Sequence, residues 1–139
     1  MTIEGISHLT FIVKDLELAS KFFITIFDAQ EVYSSGEKQF SLSREKFFLI
    51  GDIWVCTMQG EPLSEQAYNH CAFKISEEHF PLYLYRIKSL GLTIRPERLR
   101  VDGEGHSVYF YDFDNHLFEL YTGTLDERLE NYSKRLSPY

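Results

Sequence analysis

Three residues far apart in the sequence, His8, His70 and Glu119, have the types needed to hold one divalent cation. Two imidazoles and one carboxylate suit Mn, Fe, Ni or Zn ions, and three protein ligands leave positions open for water or substrate. A histidine in a strand is more often a core or surface residue than a ligand, and Glu119 could face solvent from an edge strand. The residue types alone leave both interpretations open.

The two histidines occupy matching places in two similar strands, ISHLTFIV (6–13) and NHCAFKI (69–75). Side chains alternate along a strand, so His8 shares a face with Thr10, and His70 lies opposite the apolar residues of its own strand. In the last predicted strand, Glu119 likewise projects away from its apolar neighbours. The residue as far from His8 as Glu119 is from His70 is Thr57, which is no metal ligand. The repeat therefore favours an open, three-ligand site.

Two amphipathic helices are predicted, one after each of these strands. Asp15 can cap the first helix, and the second starts near Ser76, carries Pro81 in its opening turns and stops at Gly91. Their apolar faces, at helical spacing, comprise Ala19, Phe22, Phe23, Ile26 and Phe27 in the first and Phe80, Tyr83, Leu84, Ile87 and Leu90 in the second.

The order strand, helix, several strands occurs twice, which predicts an α+β chain of two βαβββ modules in a single domain spanning 1–139. Module one covers about 3–59 and module two about 67–124, followed by a helical tail over about 125–135. Further strands are predicted at 30–33, 40–43, 47–50, 53–58, 92–94, 107–111 and 117–121. His79 and His116 are expected at the surface, and Tyr68 and Asn69 are expected to support His70.

Composition narrows the class of function. The net charge of −7 argues against a nucleic-acid partner. No apolar run reaches the roughly 20 residues of a membrane span, and the N-terminal residues lack the features of a signal peptide, so a cytoplasmic protein is expected. Cys56 and Cys71 lie in apolar runs and are predicted to be reduced core thiols.

Longer motifs resemble the vicinal-oxygen-chelate (glyoxalase-like) superfamily and, within it, the fosfomycin resistance enzymes. These motifs are GISHLTFIVKDL, FSLSREKFFLIGDIWV, YNHCAFKI and GEGHSVYFYDFDNHLFELYTGTLDERL. The segment REKFFLIGDIW, which contains Glu45, is similar to the FosX type, which adds water to the epoxide of fosfomycin. The resemblance implies a homodimer whose paired sheets complete each metal site with ligands from both subunits.

The resemblance also implies a role for individual residues. His8, His70 and Glu119 match the metal ligands, with Mn²⁺ as the preferred ion, and Glu45 matches the general base. The positions near the metal-bound phosphonate are Thr10, Trp54, Ser107, Tyr109 and Arg128. Trp54 on its own pattern could equally line the site or belong to the core.

Two positions depart from the family pattern: His106 replaces an arginine of the GEGRS motif, and Tyr121 replaces a histidine that follows the ligand glutamate. One of Arg95, Arg98 and Arg100 is a candidate to reach the phosphonate.

Other functions remain open: a metal-dependent thiol transferase acting on fosfomycin, a metal-free protein that sequesters the drug and, less favoured, an Fe(II) dioxygenase.

Overall fold

The computed structural model describes residues 2–96 and 105–136, which form two units. The first unit comprises the chain up to Gln66 together with Asp112–His116, and the second comprises Ala67–Tyr111 and the chain from Leu117 onward. The first contains β1 (His8–Val13), α1 (Leu16–Phe27), β2 (Gln30–Ser34), β3 (Glu45–Ile50) and β4 (Ile53–Gln59). The second contains β5 (His70–Lys74), a short 3-10 helix (Glu77–His79), α2 (Phe80–Ser89), β6 (Ile94–Arg95), β7 (Ser107–Tyr111), β8 (Leu117–Tyr121) and α3 (Leu125–Leu136).

Helix α1 begins where the sequence predicts. The Asp15 carboxylate accepts hydrogen bonds from the backbone N–H groups of Glu17 and Leu18, at 2.9 and 3.1 Å, which satisfies two donors that the first turn leaves unpaired. Phe22 and Phe23 on its inner face are fully buried. Burial of each such side chain contributes about 1.5–3 kcal/mol, so this face holds the helix in place.

The sheet of the first unit has the order β1-β4-β3-β2, in which β1 and β4 run parallel and the other pairs antiparallel. Its helix-facing side is apolar: Phe48 stacks on Phe23 of α1 at 5.7 Å between ring centroids, and Val55 is fully buried. Alternation therefore places the other set of side chains, including His8, on the opposite face.

The sheet of the second unit repeats this order as β5-β8-β7-β6, again with a parallel first pair. Phe110, Phe118 and Leu120 are fully buried on one of its faces. Helix α2 follows the 3-10 turn and buries Ile87 completely. The prediction of two βαβββ modules is confirmed.

One predicted strand is wrong. Residues 40–43 form a bend, and Phe40 and Leu42 are 70% and 77% exposed. The Gln39 amide donates hydrogen bonds to the carbonyls of Ser41 and Leu42, which holds the backbone in a turn rather than in an extended ladder. Apolar residues at alternating positions do not make a strand where no neighbouring strand pairs with them.

The turn Asp112–His116 is held by side chains. Asp112 Oδ1 accepts from the backbone N–H groups of Asp114 and His116, each at 2.9 Å, and Oδ2 pairs with His116 Nδ1 at 2.8 Å. The His116 side chain is only 12% exposed, so its expected surface position is wrong; His79, by contrast, is exposed. Asp114 accepts a hydrogen bond from the Lys14 N–H at 2.9 Å.

Helix α3 occupies the region expected to form a helical tail. Its start is fixed by Thr124 and Glu127: the Thr124 hydroxyl accepts from the Glu127 N–H at 3.2 Å and donates to the Glu127 carboxylate at 3.0 Å. Among the helices of the described residues, none is long and apolar enough to cross a membrane.

Candidate active site

His70 and Glu119 converge on one face of the second unit's sheet. Strands β5 and β8 are parallel neighbours, and their register pairs Ala72 with Glu119, so Glu119 shares the face of His70, two residues before Ala72. The distance from His70 Nε2 to Glu119 Oε1 is 3.1 Å, and Glu119 is only 4% exposed. His70 and Glu119 therefore lie side by side, and the carboxylate of the pair is buried.

Neighbouring groups orient both members of this pair. His70 Nδ1 lies 2.7 Å from the backbone oxygen of Tyr68. A carbonyl oxygen only accepts, so Nδ1 carries the proton and donates it, which leaves Nε2 to face the carboxylate. The Ser107 hydroxyl, fully buried, donates to Glu119 Oε2 at 2.5 Å. An imidazole and a carboxylate held in this way are suited to a transition-metal ion.

Among the described residues, no third metal ligand lies beside this pair. Across residues 2–96 and 105–136, no group of three or more His, Cys, Asp and Glu side chains is arranged to hold a metal ion. His8 lies in the first unit, at the start of β1. The assignment of His8 as a ligand therefore stays a prediction, and it depends on the second copy of the chain that the resemblance implies.

Tyr109 and Arg128 also lie on the second unit. Tyr109 is nearly buried, faces Glu119 across the β7–β8 register, and its hydroxyl accepts from the Tyr68 hydroxyl at 3.2 Å. The Arg128 guanidinium of α3 lies 4.7 Å from the ring centroid of Tyr121, which shares the face of Glu119. The five predicted site residues of this unit, His70, Ser107, Tyr109, Glu119 and Arg128, thus lie on β5, β7, β8 and α3.

Of the three candidate arginines, Arg95 is described, and Arg98 and Arg100 lie outside the described residues. Arg95 sits in β6 opposite Tyr109. Its guanidinium donates to the Tyr111 hydroxyl at 2.9 Å and lies 5.1 Å from the ring centroid of Tyr68. It is thereby held among the tyrosines of this face.

In the first unit, His8 and Trp54 are neighbours. The register of β1 and β4 pairs them, and their ring centroids are 4.2 Å apart. His8 Nδ1 is also 3.0 Å from the Ser7 hydroxyl. Trp54 therefore lies on the His8 face rather than on the helix-facing side. Its buried Nε1 donor has no hydrogen-bond partner in the part of the chain that the structure describes.

Glu45 begins β3 and shares this face of the first unit's sheet. Its residue is 8% exposed, and its backbone N–H is held by the Ser35 hydroxyl at 3.0 Å. Cys56 Sγ lies 3.9 Å from Glu45 Oε2 as a thiol donor. Thr10 lies directly opposite Cys56 in the β1–β4 register. On this sheet, the predicted base and a threonine predicted to lie near the phosphonate thus flank Cys56, a cysteine predicted to be a core thiol.

The register also corrects the comparison between the modules. Glu119 faces the residue two after His70, and the residue two after His8, Thr10, faces Cys56. Cys56, not Thr57, is therefore the counterpart of Glu119. Thr57 is fully buried on the other face of its strand. A shift of one residue along a strand moves a side chain to the opposite face, so counting residues between modules gave the wrong partner.

A cleft of about 520 Å³ in the first unit is lined by other residues, among them Lys14, Arg44 and Phe113. None of the predicted site residues borders it. Its charges are mixed, since Asp15 and Asp114 line it beside the two cations, and they indicate no particular ligand.

Known proteins resemble this chain over almost its whole length. The fosfomycin resistance protein FosX of Listeria innocua is 61% identical over 132 residues, which cover 95% of this chain and 99% of that protein. No family model matches the chain. The chain belongs to the FosX family of fosfomycin resistance proteins.

Solved structures of FosX share its fold. A variant of FosX from Listeria monocytogenes, complexed with Mn(II) and 1S,2S-dihydroxypropylphosphonic acid, has a TM-score of 0.86 and 54% identity, covering 94% of this chain and 99% of that one. A glyoxylase/bleomycin resistance protein/dioxygenase domain from Frankia sp. EAN1pec, 18% identical, has a TM-score of 0.74 over 89% of this chain and 95% of its own. The predicted glyoxalase-like fold is confirmed.

A more distant relative of this FosX-family chain has another activity in its name. The metallothiol transferase FosB of Shouchella clausii is 36% identical over 137 residues, covering 95% of this chain and 89% of that protein. Hydration and thiol transfer are therefore the two activities to be separated by experiment.

The first departure of this FosX-family chain from the family pattern is accommodated outside the site face. His106 Nδ1 pairs with Glu77 at 2.8 Å, and the side chain is 63% exposed. Alternation places it opposite Ser107, which faces Glu119. The second departure, Tyr121, lies under the guanidinium of Arg128, a residue predicted to lie near the phosphonate.

Proposed function

We propose that this chain is a manganese-dependent hydrolase that adds water to the epoxide of fosfomycin. The observation that carries the proposal is the buried Glu119 carboxylate aligned with His70, in a chain whose relative binds Mn(II) and a dihydroxypropylphosphonic acid. A vicinal diol is the product expected when water opens a three-membered epoxide ring, so that ligand matches the hydration reaction.

His70, Glu119 and His8 would hold the cation, with His8 supplied by a second copy of the chain. This arrangement requires a homodimer, which the family resemblance implies. Because a buried carboxylate is costly without a positive partner, Glu119, with His70 Nε2 and the donating Ser107 hydroxyl beside it, fits a cation site better than an apolar core. When bound, the cation supplies Lewis-acid stabilisation of the negative charge that develops on the epoxide oxygen.

Glu45 would act as the general base. Its carboxylate is positioned at the start of β3, largely shielded from solvent, on the face that also carries His8 and Thr10. A carboxylate there accepts a proton from water as the water oxygen attacks the epoxide carbon. Thiol addition needs no such base when the nucleophile arrives as a thiolate, so Glu45 is the residue whose removal should affect hydration most.

The phosphonate would be bound by donors from two sheet faces, the one that carries His8 and the one that carries Glu119. Thr10 and Trp54 come from the first unit, and Ser107, Tyr109 and Arg128 from the second. Trp54 supports this assignment because its buried indole N–H lacks a protein acceptor among the described residues, and a buried unsatisfied donor is suited to an anionic ligand. Arg128 adds a permanent positive charge.

The test is to incubate the Mn(II)-loaded protein with fosfomycin, with and without glutathione, and to identify the product by phosphorus NMR. Diol formed without thiol supports hydration, whereas adduct formed only with thiol supports a transferase like FosB. Protection of cells by a metal-free protein, with no product in either tube, would support sequestration.

Glu45→Gln separates the base from the rest of the site. General-base catalysis contributes about 100- to 10,000-fold, so hydration should fall by that factor while Mn(II) affinity stays unchanged. Glu61→Gln is the matched control because Glu61 is exposed and lies outside the site. Full hydration by E45Q would remove Glu45 from the mechanism.

A further inference from the structure

Cys56 and Glu45 lie diagonally across the β3–β4 pair. The antiparallel register pairs Cys56 with Phe47 and Glu45 with Met58, so the two side chains project from the same face two residues out of step. Diagonal neighbours are within reach when one side chain is long. The Glu45 carboxylate extends to 3.9 Å from the Cys56 sulfur.

The Cys56 thiol and the Glu45 carboxylate are both shielded from solvent. Cys56 is 4% exposed and Glu45 is 8% exposed. Within residues 2–96 and 105–136, the side-chain hydrogen bond observed to the Glu45 carboxylate comes from the Cys56 thiol. A buried carboxylate without donors would be free to rotate about its last side-chain torsion, which is broad and roughly two-fold.

The thiol keeps its proton at neutral pH. Burial, and after it the charge of Glu45, raises the pKa of Cys56 to about 11, against a hydrogen bond from Thr10 that lowers it. A neutral thiol is a weak donor and a poor nucleophile. Cys56 is therefore equipped to donate to the carboxylate and not to attack an epoxide.

We propose that Cys56 is a positioning residue, whose thiol donates to Glu45 Oε2 and leaves Oε1 directed at the attacking water. The inference rests on the proposed role of Glu45 as the general base. Thr10, on the far side of the sulfur, would hold the thiol in the rotamer that reaches the carboxylate. The row Thr10, Cys56 and Glu45 then places the base by side-chain contacts across three adjacent strands.

The test compares Cys56→Ala, Cys56→Ser and the double variant Cys56→Ala/Glu45→Gln in the Mn(II)-loaded full chain. A misplacement of about 1 Å can cost about 100-fold in rate, so C56A should lower kcat for diol formation by about 10- to 100-fold with KM and Mn(II) affinity unchanged. C56S keeps a donor of similar size and should recover much of the loss. In the double variant, C56A should add no further loss to that of E45Q.

Cys71→Ala is the matched control, since Cys71 is the other cysteine and its side chain lies opposite the His70 face. The rate of diol formation by C71A should stay within about two-fold of the parental rate, as expected for a residue outside the reaction. If C56A hydrates fosfomycin at the parental rate, or if its loss is additive with that of E45Q, the positioning role is wrong. If the parent chain itself forms no diol, the proposed function fails, and that result is distinct from a parental rate in C56A.

Discussion

Ser107 offers a test of how the second unit holds its carboxylate. The resemblance places Ser107 near the phosphonate, but its hydroxyl donates to Glu119 Oε2 at 2.5 Å from a fully buried position. The Ser107→Ala variant removes this donor and leaves the strand backbone intact. If the hydroxyl orients Glu119, the change will weaken Mn(II) binding even before fosfomycin is added.

The size of the effect follows from the kind of hydrogen bond that is lost. A buried hydrogen bond to a charged group contributes about 1.5–3 kcal/mol, and removal of a group that orients a metal ligand commonly costs about 10- to 100-fold in affinity. Since each factor of ten corresponds to about 1.4 kcal/mol, the two ranges agree at about 1.4–2.8 kcal/mol. We expect the Mn(II) dissociation constant of S107A to rise by about 10- to 100-fold.

The assay is an Mn(II) titration of the metal-free protein, followed by the electron paramagnetic resonance of free Mn(II), with no fosfomycin present. Ser89→Ala is the matched control, because the Ser89 hydroxyl donates to the Arg86 carbonyl at an exposed position on α2 of the same unit. An unchanged Mn(II) affinity in S107A, combined with a raised KM for fosfomycin, would refute the orienting role and return Ser107 to the phosphonate alone.

Two further predictions concern stability. Burial, and after it the charges of Asp112 and Asp15, raises the pKa of Asp114 against the hydrogen bond from the Lys14 N–H, which lowers it, so the folded state carries the Asp114 charge at a cost at neutral pH. That cost is absent below the pKa of the unfolded state and appears as pH rises through the raised pKa of the folded state. Asp114→Asn, which still accepts from the Lys14 N–H, should therefore unfold at a higher temperature than the parent at pH 7. Calorimetry should show this difference narrowing at pH 3. Thr124→Ala should cost about 1 kcal/mol at the start of α3 and speed hydrogen exchange of the Glu127 amide; unchanged exchange would show that the Thr124 cap contributes nothing.

Much of the fold could be predicted because the local signals agree with the tertiary packing. Asp15 caps α1 as its type suggests, and Phe22 and Phe23 are buried as helical spacing requires. Alternation along β8 separated Glu119 from Phe118 correctly, since one face of the strand packs on the core and the other on the site. Such signals depend on neighbours in the chain, and the sequence displays those directly.

The errors arise where pairing between distant segments decides the outcome. Residues 40–43 alternate like a strand but have no partner and turn instead. The spacing from His70 to Glu119 pointed to Thr57, yet the register selects Cys56, because the two modules differ by one residue in the connection between strands. The sequence also gave no sign that Ser107 would donate to Glu119, since that contact depends on how β7 and β8 are aligned.

The corrected register shows that the two modules carry different chemical groups at one matching strand position. At the same strand position, the second module has a buried carboxylate paired with His70, and the first has a neutral thiol beside Glu45. A second carboxylate at Cys56 would lie against Glu45, and two buried like charges at such a distance would raise the pKa of one of them and protonate it. A thiol at this position avoids that repulsion and still supplies a proton donor. The cysteine at this position in module one would therefore leave Glu45 free to serve as the proposed base, while module two has the carboxylate that the proposed cation site requires.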